Sequence, residues 1–156
     1  MLKKIKTNSL DCDIVYNIAE GYKSRNREGI IPSICEAFHI PYTGTDAFGL
    51  SLSLHKYQTS CFLEPYRILT PKSILFTFNL EGIREIETRT LQAGMHYPLL
   101  LKPNHEGSSM GLALVQGKSE LNDAAADLAR RYEQEILIQE YIPGKEMSTC
   151  ILGSGK

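Results

Sequence analysis

The chain has 156 residues, of which 42% are apolar and 22% charged, with a formal net charge of −1. That length buries one respectable core, or two small ones that share an interface. The near-neutral balance gives no electrostatic footing for nucleic acid or a membrane surface, and no apolar run approaches the roughly 18–20 residues that span a bilayer. The start, Met1-Leu-Lys-Lys-Ile-Lys6, is basic, but no signal-type apolar core follows it. Cys12, Cys35, Cys61 and Cys150 are scattered, without C-x-x-C spacing or a histidine cluster. They argue against zinc and against a disulfide framework, and read as buried free thiols of a cytoplasmic protein.

In chain order, Asp13–Ile18 reads as a short, mostly apolar strand that turns at Ala19-Glu-Gly21. Arg27–His39 reads as a helix, with Ile30, Ile31, Ile34, Cys35 and Phe38 on one face and Pro32 in the tolerant first turn. Pro41-Tyr-Thr43 reads as a second short strand. Thr45 can cap a helix that carries Ala47, Leu50 and Leu54, although Leu50, Leu52 and Leu54 also alternate. Lys56–Leu63 is a further helical run ending near Pro65, and Ser73–Phe78 is rich in strand formers. The charge-alternating stretch 81–96 is assigned a helix. A strand over 98–102, a loop over 103–110 and a strand over 111–116 follow. Ser119 is expected to cap a helix over Glu120–Tyr132, with Leu121, Ala124, Ala125, Leu128 and Ala129 on its apolar side. Strands over 135–142 and 146–152 should flank the turn at Pro143-Gly144.

One segment carries most of the chemistry. The apolar run Pro98–Leu101 delivers Lys102 into a loop with Gly107, Ser108, Ser109 and Gly111. Backbone amides and hydroxyls in such a loop can wrap a polyphosphate, and the lysine beside it can neutralise the charge. Taken alone, Lys102 also reads as a surface lysine at a strand end, and the loop as a flexible turn. The lysine precedes the glycines, so this is not G-x-x-x-x-G-K-[ST]. The glycines are four apart, so it is not G-x-G-x-x-G either. No glycine loop follows the first strand, which weakens a Rossmann-type reading.

Lys102-Pro103, Glu106-Gly-Ser-Ser-Met-Gly111 and Gly144-Lys-Glu146 resemble the motifs of the ATP-grasp superfamily, in its D-alanine–D-alanine ligase branch. Ile40-Pro-Tyr-Thr-Gly-Thr-Asp46 is similar to the end of that branch's first domain, and Leu50–Lys56 to the helix carrying its first ATP lysine. The likeness covers roughly residues 12–152. It implies an α/β fold: a partial preATP-grasp sheet lobe over 1–60, then the first half of an ATP-grasp nucleotide-binding domain over 61–156. It also implies a ligase that joins a carboxylate to an amine through an acyl phosphate, with ATP and Mg²⁺ as cofactors. Small amino-acid-like substrates, a cytoplasmic setting, a part in peptidoglycan and cell wall biogenesis, and a homodimeric parent go with it. Neither nucleic acid nor membrane is an expected partner.

The resemblance assigns ATP binding to Lys56, Lys102, Glu106, Gly107, Ser108, Ser109, Gln139, Glu140, Tyr141, Ile142 and Glu146. Ser108 also helps orient substrate, Ser109 offers its backbone to phosphate, and Glu106 braces the loop. Gln139 to Ile142 form the adenine hinge, with Gln139 where many relatives have glutamate. Glu146 takes the ribose hydroxyls. His55 is left as an ordinary polar helix residue. The sequence departs from the branch around Glu20-Gly21-Tyr22, where its histidine-glycine motif is absent. Glu20, Arg25 and Arg27 become the substrate candidates there, since two arginines can hold a carboxylate or phosphate bidentately. A charged loop capping the next helix is the plainer alternative. The resemblance further implies that the branch begins with a strand and glycine loop ahead of this chain and holds its metal beyond residue 156. The chain therefore reads as an inactive piece of a longer ligase. The alternative is a non-catalytic nucleotide-binding or structural domain.

Overall fold

The computed structural model describes residues 12–77 and 80–153. Phe78, the basic N-terminus and the last three residues of the chain lie outside that range.

The first stretch is mainly helical. Expected strands at 13–18 and 41–43 reduce to one parallel bridge between Val15 and Tyr42. Val15 N–H donates to Pro41 O at 2.8 Å, and Thr43 N–H to Val15 O at 2.9 Å. Ile14, Tyr16 and Ile18 are all exposed. With nothing to bury, their apolar character does not extend the pairing. A 3₁₀ turn at Arg27–Gly29 leads into α1 (Ile30–Ala37), which buries Pro32 and Cys35. Of the four cysteines only Cys35 is buried. Cys12, Cys61 and Cys150 are free and exposed, so the expectation of buried thiols holds at one position.

α2 (Ala47–Leu54) is capped by Asp46, not Thr45: the Asp46 carboxylate accepts from Gly49 N–H at 2.7 Å. Asp46 has the extended backbone that an N-cap needs, which places its carboxylate over the third helical amide. The carboxylate of Glu36 in α1 accepts from the Tyr42 hydroxyl at 2.6 Å and from Ala47 N–H at 3.1 Å, joining the two helices. His55, at φ −87° and ψ 87°, interrupts the helical path before α3 (Lys56–Leu63).

Among the described residues, all four strands lie beyond residue 72. β1 (Ser73–Phe76), β2 (Leu99–Pro103), β3 (Ala113–Val115) and β4 (Ile136–Glu140) form an antiparallel sheet in the order β1-β4-β2-β3. Helices α4 (Leu80–Gln92) and α5 (Lys118–Tyr132) cover one face. Phe76, Leu99, Leu101, Ile136 and Ile138 meet Ile86, Leu121, Ala125 and Leu128 there in one buried cluster. Each such side chain contributes about 1.5–3 kcal/mol on burial. The period-2 alternation of strands assigns the opposite face. Register pairs Leu100 with Gln139 and with Leu114, and Lys102 with Leu137, so these residues share it.

Two expectations fail in this half. Ser119 does not cap α5: the helix starts at Lys118 with Gly117 as N-cap and no side-chain cap bond. Glu120 instead accepts from Gln116 N–H at 2.8 Å, which ties the entering chain to the first turn. No strand forms at 146–152. Met147, Ile151 and Leu152 are almost fully exposed and find no surface on which to pack.

If Asp46 is the cap, Asp46→Ala should cost about 1 kcal/mol of stability and Thr45→Ala clearly less. Urea denaturation of the two variants checks this, and an equal loss would return the cap to Thr45.

Candidate functional site

Strand β2 ends in a knot of polar residues. Lys102 is half-buried on the sheet face opposite α4 and α5, where its register partner Leu137 is buried. Asn104 is fully buried and His105 nearly so. The chain then emerges at Glu106 into an exposed loop over 107–110. Ser108 and Ser109 both have left-handed backbones, at φ 50° and 57°, and Gly111 follows at φ 72°. Two successive non-glycine residues in this region cost backbone energy and hold the loop in a particular shape. At Gly111 a Cβ would lie 2.8 Å from the Pro103 ring and from the Tyr132 ring, so the loop returns to the sheet through a gap that admits only glycine.

α3 supplies a second cation. Lys56 Nζ donates to the main-chain oxygen of Glu106, and to that of Asn104 at 3.4 Å. Burial pulls the Lys56 ammonium down to about 8, and the charge of Lys102 adds to the effect; Glu106 opposes it. Burial also lowers Lys102. These shifts mark two half-buried cations that favour a compensating anion.

Glu106 is the hub on the other side. One carboxylate oxygen faces Arg27 Nη2 at 3.3 Å, and the other accepts from Gln134 Nε2 at 2.9 Å. Gln134 Oε1 in turn accepts from His105 N–H at 2.7 Å. Arg25 is engaged too: its main-chain oxygen lies 2.9 Å from His55 Nε2, and its guanidinium 3.4 Å from His55 Nδ1. The His55 and His105 rings meet edge to face, with centroids 4.3 Å apart. A cleft of about 780 Å³ opens beside this cluster, walled by Gly21, Arg25, Arg27, His105, Glu106 and Tyr132 among others.

The sequence-assigned residues are thus partly assembled. Lys56, Lys102, Glu106 and the loop carrying Gly107, Ser108 and Ser109 converge, and Arg27 joins them through Glu106. Gln139 lies on the same sheet face as Lys102, two register pairs away. Glu140 lies on the opposite face, because adjacent strand residues alternate. Its carboxylate accepts from Lys72 N–H at 2.8 Å, and its own N–H donates to Lys72 O at 3.0 Å. Tyr141, Ile142 and Glu146 follow in exposed chain beyond the strand, and Glu20 is exposed just before the cleft wall at Gly21. Among the described residues no three His, Cys, Asp or Glu gather as a metal site. These side chains do not by themselves fit Mg²⁺.

Comparison with known proteins follows this geometry. Residues 71–156, more than half of the chain, match the family described as D-ala D-ala ligase C-terminus. The chain belongs to this family. It is 32% identical over 141 residues to the D-alanine–D-alanine ligase of Xanthomonas axonopodis pv. citri, covering 90% of this chain and 43% of that one. It is 35% identical over 128 residues to the ligase of Bordetella pertussis, covering 82% and 38% respectively. Among solved structures, VanG D-Ala:D-Ser ligase from Enterococcus faecalis superposes with a TM-score of 0.69 at 29% identity, over 86% of this chain and 38% of that one. D-Alanine-D-Alanine Ligase from Helicobacter pylori gives 0.68 at 27%, over 84% and 37%. The chain spans about two fifths of the length of these relatives.

Four residues of this polar cluster escaped the sequence reading: His55, Asn104, His105 and Gln134. His55 is not an ordinary helix residue. It sits buried at a break between two helices, where both ring nitrogens have partners. Two polar residues in succession, Asn104-His105, between a buried strand and a glycine loop were the available signal. Only a packed network accommodates such a pair.

Burial holds His105 down to about 4, and His55, Arg25, Lys56 and Arg27 add to the effect. Its Nε2 faces Asn104 Nδ2 at 3.1 Å, which suits a neutral ring accepting there. In the unfolded chain the ring protonates near its ordinary value of about 6.5. The unfolded state therefore binds more protons between these values, and stability falls as pH drops from about 6.5 towards about 4. Denaturation midpoints across this window should decline less steeply in His105→Gln than in the parent. Parallel declines would show that His105 keeps its ordinary titration.

Proposed function

We propose that the protein carrying this chain is an ATP-dependent carboxylate–amine ligase of the D-alanine–D-alanine ligase type. The observation that carries this reading is the convergence of two half-buried lysines, Lys56 and Lys102, beneath a loop fixed by the left-handed Ser108 and Ser109. Preorganised cations and amides of this kind favour the charge spread over a transferring phosphoryl group. In the proposed reaction ATP phosphorylates a substrate carboxylate, and an amine then displaces the phosphate.

Each residue takes a limited part in this reading. Lys56 and Lys102 hold phosphate. Gly107 and Ser109 present backbone, and Ser108 orients substrate. Glu106 holds the loop to Arg27 and Gln134. The half-exposed Leu100, Leu114 and Gln139 offer an apolar floor with one amide for the base. Tyr141, Ile142 and Glu146 continue the hinge and ribose side, while Glu140 fastens the strand edge. Arg25, Arg27 and Glu20 border the cleft where a small amino-acid-like substrate enters. The division near residue 60, into an N-terminal lobe and a nucleotide-binding subdomain, belongs to the same proposal. It is supported by the confinement of all four strands to residues beyond 72. Mg²⁺, a homodimeric parent, a cytoplasmic setting and a role in peptidoglycan synthesis rest on family membership. No helix of the described residues is long and apolar enough to cross a membrane.

The direct test is ATP turnover with D- and L-amino acids by the intact protein and its Lys102→Ala variant. Nucleotide binding without turnover would favour a non-catalytic binding domain. Lys102→Ala should also weaken nucleotide binding about tenfold to a hundredfold, the usual range for a charged hydrogen bond. Lys118→Ala should change it little, since Lys118 is exposed and paired with Glu87 at 2.7 Å. Calorimetric titration separates the two, and equal losses would count against the assignment.

Affinity should also depend on pH. The bound phosphate requires a charged Lys56, whereas free Lys56 loses its proton near 8. Affinity should therefore hold below about 8 and fall above it. Lys56→Arg, which stays charged, should flatten that fall. Affinity unchanged well above 8 in the parent would remove Lys56 from the phosphate site.

A further inference from the structure

We propose that Asn104 is a positioning residue for Lys56, acting as a helix cap supplied from a different element. The inference rests on the reading of Lys56 as a phosphate contact and assigns what aims it.

The first amides of a helix lack partners within it, and a side chain at the N-cap usually supplies one. In α3 the N-cap residue is His55, and it makes no side-chain cap bond. Its imidazole is turned away to Arg25. The caps come instead from the end of β2. Asn104 Oδ1 accepts from Tyr57 N–H at 3.0 Å, and Asn104 O accepts from Lys56 N–H at 3.2 Å. The same main-chain oxygen lies 3.4 Å from Lys56 Nζ. One residue therefore engages the first two amides of α3 and the ammonium group of its first side chain.

Asn104 is itself held on every side. It is fully buried, and its Nδ2 donates to Gln58 Oε1 at 3.2 Å and lies 3.1 Å from His105 Nε2. Its N–H donates to Glu135 O at 2.9 Å, which fixes it to the entry of β4. The side chain needs both halves of an amide: an oxygen for the helix and a nitrogen for Gln58 and His105. Aspartate lacks the donors, and serine carries a single hydroxyl. Asn104 also lies two residues after Lys102 on the same chain. The spacing between the two lysines is therefore set through one rigid connection. A lysine side chain gives up much rotamer freedom when it is aimed, so a fixed helix start and a fixed acceptor lower the cost of presenting it to a ligand.

The experiment combines hydrogen exchange with a double-mutant cycle on ATP affinity in the intact protein. In Asn104→Ala, exchange at the Tyr57 amide should rise, because it loses its side-chain acceptor, while amides of β2 and β4 stay protected. ATP affinity should fall between about threefold and thirtyfold, the range of a lost cap. In a Lys56→Ala background the same substitution should cause no further loss. Gln58→Ala removes only the acceptor that orients the Asn104 amide. It should give a smaller loss of the same kind, and serves if Asn104→Ala does not fold. Unchanged exchange at Tyr57 would overturn the cap. Additive losses with Lys56→Ala would show a general structural role and overturn the positioning. If exchange rises but Lys56→Ala leaves ATP affinity intact, the cap stands and the phosphate reading of Lys56 falls.

Discussion

Two ammonium groups held half-buried in one space are the constraint around which this structure is arranged. Each loses hydration, and each raises the cost of the other. The chain offsets part of that cost with main-chain oxygens of Asn104 and Glu106 on Lys56. It does not place a carboxylate between the lysines. The Glu106 side chain is directed to Arg27 and Gln134, and only its backbone oxygen serves Lys56. A carboxylate in direct contact would neutralise the pair and would also compete with any incoming anion. Neutral oxygens hold the cation and leave its charge available.

The sheet supplies the other half of the arrangement through its alternation. β2 buries Leu99, Leu101 and Pro103 on the face that α4 and α5 cover, which sends Leu100 and Lys102 to the opposite face. β4 obeys the same rule in the opposite direction of travel. Ile136 and Ile138 join the core, Gln139 faces Lys102's side, and Glu140 returns to the covered side. A slip of one residue in the β2–β4 register would bury Lys102 in the core and expose Leu101. The hydrophobic cluster that stabilises the sheet is thus also what selects which polar residues face the candidate site.

How much of this was legible in the sequence depended on how local each signal is. The apolar face of α5 and the start of α3 follow from spacing within a few residues, and both appear as read. The lysine-then-glycine order of residues 102–111 was legible because strand and loop are contiguous. Caps were less legible. Thr45 and Asp46 are both good cap residues, and backbone geometry decided for Asp46. Ser119 lost its expected role to a helix that starts one residue earlier. The strand expected at 146–152 has the right residue types, but strands need neighbours, which periodicity does not supply. Least legible was the Asn104 network, whose distant partners lie about thirty to fifty positions away, in α3 and just ahead of β4.

The N-terminal arginines show how a departure from a family pattern becomes a structural commitment. The sequence offered Arg25 and Arg27 as free hands for a substrate carboxylate. Both are already attached: Arg27 to the Glu106 carboxylate where the 107–110 loop begins, Arg25 to the imidazole at the head of α3. A guanidinium has five donors, so each retains donors toward the cleft beyond the contact it makes. An anion entering there would meet two cations whose other sides are bonded to the loop and to the helix that carry the catalytic candidates. Its attraction would be transmitted to the Arg27–Glu106 contact and to the His55 junction at once. Arg27–Glu106 is thus a charge-assisted contact between the chain ahead of α1 and the end of β2, beside the neutral amide contacts of Asn104 with α3. Such contacts form and break with small movements at little hydrophobic cost.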